Sequence, residues 1–308
     1  MISVIICSIK PDICQKMLES VGKTIGVEYE SIVFDNRDKK YGICKVYNEA
    51  AKQAKGDYLC FVHEDVIIEA NKWGKELIKF AEHNNDCGVI GIAGGKYANR
   101  NFIDWNVSER SVKVYDPWGS NKQHNLSKSD LILKYSNPNN ELFSKAVCLD
   151  GVFLFVKKSI WENNKFDEET FKGFHCYDAD FSFSISQKYQ NHVYFGMDIY
   201  HFSCGNKEKS FCENIYLFQK KWKGKLPYCL PGYKISFSQE LSKARGMLFL
   251  YRRNGFSMTE FFRRIYEING LLFSIFFPVY YSLIICKKII KYCLKGEKNG
   301  TKYEKDFV

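Results

Sequence analysis

The chain has 308 residues, enough for two folding units or one large domain with an appendage. Hydrophobic residues are 45% and charged residues 26%, which excludes a disordered or collagen-like chain. Net charge is +10, but residues 241–308 hold 13 Lys/Arg against 5 Asp/Glu, so the rest of the chain is nearly neutral. That asymmetry argues against a nucleic-acid-binding surface spread over the chain and for an anionic partner met by the tail.

The start, Met1 to Cys7, has no basic leader and no small-residue cleavage site. Ser3–Cys7 reads as a strand covered on both faces. Pro11 and Asp12 open a helix carried by Ile13, Met17, Leu18 and Val21, and Gly22 and Gly26 close it. Tyr29–Phe34 is a second strand ending at Asp35-Asn36. Gly42–Lys55 is a second helix, stopped by Gly56. Tyr58–Val62 is a third strand that runs into His63-Glu64-Asp65. Trp73–Ala81 and Val89–Ala93 continue the alternation. This order predicts a parallel sheet with helices on both faces, and ligands then bind at the carboxyl ends of the strands. Asp35 and the His63-Glu64-Asp65 triplet both fall there. No G-x-G-x-x-G or P-loop follows the first strand, so a dinucleotide enzyme and a P-loop NTPase are disfavoured.

Residues 99–143 read as a long loop region with room for a hairpin. Residues 147–156 form a strand interrupted by Asp150-Gly151. Asp178 is placed as the N-cap of a helix continued by Phe181, Ile185 and Tyr189. A short strand over 192–195, the stretch Tyr200-His201-Phe202 and a helix over 206–222 follow. None of the 12 cysteines forms a C-x-x-C pair, which argues against a zinc site or a disulfide framework and for buried thiols in a reducing compartment.

The spacing around Asn48 carries the functional reading. Ala50, Ala54, Gly56 and Tyr58 follow Asn48 at two, six, eight and ten residues, and an apolar strand then meets an acidic triplet: YNEAAKQAKGDYLCFVHEDV. This resembles the family-2 glycosyltransferases, whose segment runs Asn-x-Gly-x-x-x-Ala-x-Gly-x-Tyr, a hydrophobic strand, then Asp-x-Asp. The His-Glu-Asp variant is similar to a divergent branch related to streptomycin-cluster glycosyltransferase-like proteins. The resemblance covers about residues 1–205.

It implies a GT-A α/β fold over 1–230 with a helical extension over 231–308. The implied reaction is inverting transfer of a sugar from a nucleotide diphosphate, assisted by Mn2+ or Mg2+. Asp65 matches the last Asp of the triplet and is the implied metal ligand, with His201 completing the shell. His63 stands where the first Asp touches ribose or cation, and Glu64 lies between them on the donor side. Asp35, Asn48 and, more weakly, Ser8 are implied donor contacts. Asp150 lies in the stretch that lines donor sugar and acceptor. Tyr177-Asp178-Ala179-Asp180 aligns with Glu-Asp-x-Asp, which makes Asp178 the implied base and Asp180 its runner-up. Tyr115, Trp105 and Trp118 are candidates for stacking on a sugar.

Two other readings stay open. A nucleotidyltransferase needs a glycine-rich basic loop after the first strand, which Ser8-Ile9-Lys10-Pro11 lacks. A degenerate, inactive basic membrane-binding protein is compatible with the missing first Asp. The run Ile268–Cys286 has 19 residues without a charge, with Arg263 and Arg264 before it and Lys287, Lys288, Lys291 and Lys295 after it. That is barely the length of a membrane span, and Asn269, Gly270 and Pro278 weaken it. A helix or hairpin in the lipid interface fits at least as well, and a homodimer interface is the alternative. The expectation is a cytoplasmic enzyme held peripherally at the inner membrane face through 241–295, acting on a saccharide or lipid-linked acceptor.

Overall fold

A computed structural model describes residues 1–101, 107, 109–117, 126–203, 205 and 207–295, with side chains to 287. Trp105 and Trp118 lie outside the described residues. The chain divides into two compact units, one of residues 1–98, 103–206 and 227–234, the other of 99–102, 207–226 and 235 onward.

The first unit opens with β1 (Ile2–Ser8), α1 (Pro11–Thr24), β2 (Tyr29–Asp35), α2 (Ile43–Gln53), β3 (Tyr58–Val62), β4 (Val66–Glu69), α3 (Trp73–His83) and β5 (Cys87–Gly91). Next come β6 (Ala93–Gly95), β7 (Tyr97–Ala98), β8 (Arg110–Pro117), β9 (Leu131–Ser136), β10 (Phe143–Ala146) and β11 (Cys148–Leu149). It closes with β12 (Phe153–Lys157), α4 (Lys158–Asn163), α5 (Tyr177–Ser186), β13 (Gln190–Tyr194), β14 (Asp198–His201) and, later, β15 (Tyr228–Cys229).

Seven strands form the main sheet in the order β10-β13-β5-β12-β3-β1-β2. The continuous apolar runs of β1 and β3 are central and buried, whereas β2, at the edge, alternates between half-buried and exposed residues. Both faces are covered. Val4, Ile6 and Val62 pack with Met17 and Val21 of α1 and Leu77 of α3. On the other side Phe61 meets Tyr47 of α2, Phe166 and Phe181 of α5.

The sheet is mixed rather than parallel. β12 runs antiparallel to β3 and to β5. After β5 the chain stays at the carboxyl end of the sheet and returns as β12 from that end. A parallel return would need a long, usually helical, crossover. The detour builds a second sheet, β11-β6-β8-β14-β4, with β9 paired to β8. The hairpin expected within 99–143 is this β8–β9 ladder, in register from Val112↔Ser136 to Pro117↔Leu131. Asp150-Gly151 splits the strand expected over 147–156 into β11 and β12.

The second unit contains α6 (Lys209–Lys221), α7 (Phe237–Arg253), α8 (Met258–Asn269) and α9 (Leu271–Lys295). Ser236 and Ser257 cap α7 and α8 by accepting from the N–H groups of Gln239 and Glu260. Arg264 is buried among its described residues. It donates to Tyr251 Oη at 2.9 Å, Glu213 at 2.8 Å and Glu260 at 2.6 Å, and lies over the Tyr216 ring. The uncharged run over 268–286 is not one element: Gly270, at φ +81, separates α8 from α9. Among the described residues no helix is long and apolar enough to cross a membrane.

Asn48, an implied donor contact, is 3% exposed. Its Nδ2 donates to Phe166 O at 2.8 Å and its Oδ1 accepts from Phe166 N at 3.1 Å. Both ends of the amide therefore clamp the segment before α5 to α2, and neither faces the sheet rim. Asn48→Ala strands a buried N–H and C=O, and should cost about 1–3 kcal/mol in urea unfolding. Unchanged stability would show that the clamp is idle.

Candidate active site

The site grows from three strand ends. β3 ends at Val62, and His63 N–H donates to Val152 O at 3.1 Å, which sets the Asp150–Val152 turn beside it. β14 pairs antiparallel with β4, with His201 opposite Val66, and Phe202 N–H donates to Asp65 O at 2.9 Å. β14 also pairs with β8 through Tyr200↔Tyr115, and this brings Asp116 to His201.

The result is a cluster of His63, Asp65 and His201 whose donor atoms lie within 4.8 Å of one another. Asp65 Oδ1 is 3.9 Å from His63 Nδ1 and 3.6 Å from His201 Nε2. The hydrogen bonds behind the rings orient them. His201 Nδ1 donates to Asp116 Oδ1 at 2.9 Å, and its Nε2 faces Asp65 and lies 3.2 Å from Ser203 Oγ. Tyr177 Oη lies 2.7 Å from His63 Nε2 and 3.2 Å from Gly151 O. A phenol has one proton. Both contacts are satisfied when Tyr177 donates to Gly151 and accepts from His63 Nε2–H, so the His63 Nδ1 lone pair also faces Asp65. Two imidazole nitrogens and a carboxylate aimed at one point, each imidazole held from behind, is the donor arrangement of a divalent-cation site.

The electrostatics set the two rings apart, and His201 must give up a proton before it can ligate a cation. Burial pushes His63 down to about 4, so its ring is neutral. Burial opposes charge on Asp65 as well, but His201, His63 and a bond from Ser203 outweigh it and hold the carboxyl below the usual range. For His201, burial is outweighed by the Asp116 hydrogen bond and the charge of Asp65, which raise it to about 8.

The other half of the site is the start of α5. Cys176, in the left-handed region at φ +62, turns the chain into the helix. The N-cap is therefore Cys176 rather than Asp178, and Asp178 is the second residue of the first turn. Asp178 Oδ2 accepts from Gly151 N–H at 2.9 Å. A Cβ at Gly151 would lie 2.1 Å from Tyr177 Oη, so only glycine fits between Tyr177 and Asp178. Burial and then the charge of Asp150 push the Asp178 carboxyl up to about 7. Asp180, two residues on, is 3% exposed and about 200° around the helix from Asp178. Asp150 Oδ1 accepts from Val152 N–H at 3.0 Å within the turn.

The remaining sequence candidates divide. Glu64 is buried and accepts from Ser8 Oγ at 2.7 Å, Ile9 N at 3.1 Å and Lys10 N at 3.0 Å. Glu64 and Ser8 are thus spent on each other and on the loop after β1. Asp35 is exposed at the end of β2 and forms a bidentate pair with Arg37. Tyr115 stacks on Tyr200 at 4.4 Å. Asp116 had no local signal in the sequence: it and His201 are 85 residues apart and meet only through the β8–β14 pairing.

No curated protein matches the chain. Among solved structures it is similar to residues 1–349 of TarS from S. aureus, at 15% identity and a TM-score of 0.49, covering 87% of this chain and 81% of that one. It is also similar to GalNAc-T7 with UDP, GalNAc and Mn2+, at 12% identity and a TM-score of 0.47, covering 86% of this chain and 56% of that one. Residues 3–220 match the family described as "Glycosyltransferase like family". The chain therefore belongs to this glycosyltransferase-like family, and it carries a GT-A-type α/β fold with a C-terminal helical extension.

Proposed function

We propose that the chain is an inverting glycosyltransferase that uses a nucleotide-diphosphate sugar, with His63, Asp65 and His201 as cation ligands and Asp178 as the base. The observation that carries this reading is the bonded path from the triad to the base: His63 to Tyr177 Oη, Tyr177 to Gly151, and Gly151 N–H to Asp178. A divalent cation would supply positive charge against the diphosphate as it departs. Two imidazoles beside one carboxylate suit Mn2+ better than Mg2+, which prefers oxygen ligands. In the transfer the acceptor oxygen bonds to the anomeric carbon, the bond from that carbon to the phosphate oxygen breaks, and the hydroxyl proton passes to Asp178. Asp35, exposed at the end of β2, is our candidate for the nucleoside end of the donor.

The clustered ligands and a base poised near neutrality favour an active enzyme over a degenerate one. Manganese uptake tests the first half. Mn2+ titration followed by electron paramagnetic resonance should show one bound ion, lost in Asp65→Ala. Asp116→Asn, which weakens the support of His201 and removes the ion pair with Lys134, should weaken binding about 10–100-fold. Wild-type affinity in Asp65→Ala would remove the triad from the mechanism.

Asp178→Asn should lower transfer about 10²–10⁴-fold while Mn2+ and nucleotide binding persist. As a base, Asp178 must be ionised, so kcat/KM should rise with pH along a limb at or below about 7, a bound cation moving it downward. The stability sign is opposite. The folded pKa lies above the unfolded value, so the contribution of Asp178 is full below about pH 4 and is lost as pH rises through about 7. Asp178→Asn should therefore melt at or above the wild-type temperature at pH 8. Unaltered turnover in that variant would assign the base elsewhere.

We also propose that the second unit binds an anionic lipid surface at the cytoplasmic face. Leu272, Ile275, Phe276, Val279 and Leu283 line one side of α9 and are each more than half exposed. Phe237 of α7 packs edge-on to Phe276, and Phe249 of α7 to Tyr281, which widens the apolar face. Exposed Arg252, Arg253 and Lys287 supply charge complementary to anionic headgroups. Full-length protein should sediment with phosphatidylserine vesicles, and Leu272→Glu with Ile275→Glu and Val279→Glu should release it. Retention of the triple variant on vesicles would reject this surface, and a dimer in light scattering would replace it with a second copy.

A further inference from the structure

We infer that Phe174 is a stacking platform for a pyranose ring of the acceptor, so that the reacting end of the acceptor is a saccharide. This rests on the transferase reading above and names the substrate class that the site takes.

Phe174 is 56% exposed, whereas Phe166, Phe171 and Tyr177 on either side are 2%, 0% and 3% exposed. The segment thus buries three of its four benzene rings and leaves Phe174 in solvent, with the half-buried His175 ring edge-on to it. That ring stands at the site: its centroid is 5.7 Å from His63 and 5.9 Å from Tyr177. Asp178 follows four residues later, in the first turn of α5.

The backbone under Phe174 is braced. Gly173 O accepts from Ile43 N–H, at the start of α2, at 3.1 Å. Gly42 lies against the same stretch, and a Cβ there would come within 2.2 Å of Lys172 O. Cys176 then closes the loop in the left-handed conformation. A ring held out by a fixed main chain costs little conformational entropy when a ligand covers it.

The chemistry selects the ligand. A pyranose has an apolar face of C–H groups with its hydroxyls at the rim. It can lie on an aromatic face while one hydroxyl remains free for a base. A diphosphate or a lipid phosphate gains nothing from a benzene face. A nucleobase could stack, but the candidate nucleoside contact, Asp35, is on β2, two strands from the β3 end that bears His63.

Saturation-transfer NMR with a panel of methyl pyranosides, in the presence of Mn2+ and UDP, GDP or dTDP, tests the inference. Wild-type protein should saturate the ring C–H protons of at least one pyranoside. Phe174→Ala should weaken that binding about tenfold, the size of one aromatic contact, and Phe174→Trp should retain it. Equal Mn2+ uptake by the Ala variant verifies its fold. Equal pyranoside binding by wild type and Phe174→Ala, or no saturation of any pyranoside by wild type, overturns the platform. Absence of nucleotide-sugar turnover alongside Phe174-dependent pyranoside binding would instead sink the transferase reading and leave the platform standing.

Discussion

The hydroxyl of Tyr177 is the junction on which the site depends. It meets His63 Nε2 at 2.7 Å and Gly151 O at 3.2 Å, and it is buried with the ring that carries it. With its one proton given to Gly151, the phenol accepts from His63 Nε2–H, and His63 then presents Nδ1 to Asp65. The Gly151 N–H, in the preceding peptide, donates to Asp178. A phenylalanine at 177 would keep the packing against Tyr47 and lose both phenol bonds. Gly151 is required for the same reason, since any side chain there would occupy the space of the phenol.

Two groups of carboxylates sit on either side of this junction and are tuned in opposite senses. Asp65 and Asp116 are shielded from water, yet imidazoles beside them hold both below the usual carboxylate range, with Lys134 also assisting Asp116. Asp178 has no cationic neighbour among its main influences; burial and Asp150 push it up. One half of the site thus favours ionised carboxylates, the other a carboxyl that takes a proton near neutrality. Such a divergence of environments is what the proposed division between a cation site and a base requires.

The sequence made the scaffold legible where local rules decide it. Continuous apolar runs marked β1 and β3, and Gly26 and Gly56 lie just beyond the ends of α1 and α2, whereas Gly22, also expected as a stop, falls inside α1. What it hid was set by partners distant along the chain. β12 reads as a core strand, but its antiparallel sense follows from the chain remaining at one end of the sheet after β5. Asp116 carries no motif, because its role arises from a pairing between β8 and β14. Phe174 is one of 25 phenylalanines, and only burial distinguishes it from those that fill the core.

The acidic motifs show why spacing alone underdetermines chemistry. In His63-Glu64-Asp65, at a strand end, the first and third residues come together while the middle one turns to the loop after β1. The turn that joins β3 to β4 sets this division. In Asp178-Ala179-Asp180 the same i, i+2 spacing lies on a helix, where it separates side chains by about 200°. Asp178 therefore reaches the Gly151 turn, and Asp180 is driven into the interior. Glu64 and Asp180 both belong to motifs that suggest chemistry, yet Glu64 is bonded to Ser8 and the loop after β1, and Asp180 is buried. The same two-residue spacing thus brings His63 and Asp65 together beyond β3 and sends Asp178 and Asp180 to opposite sides of α5.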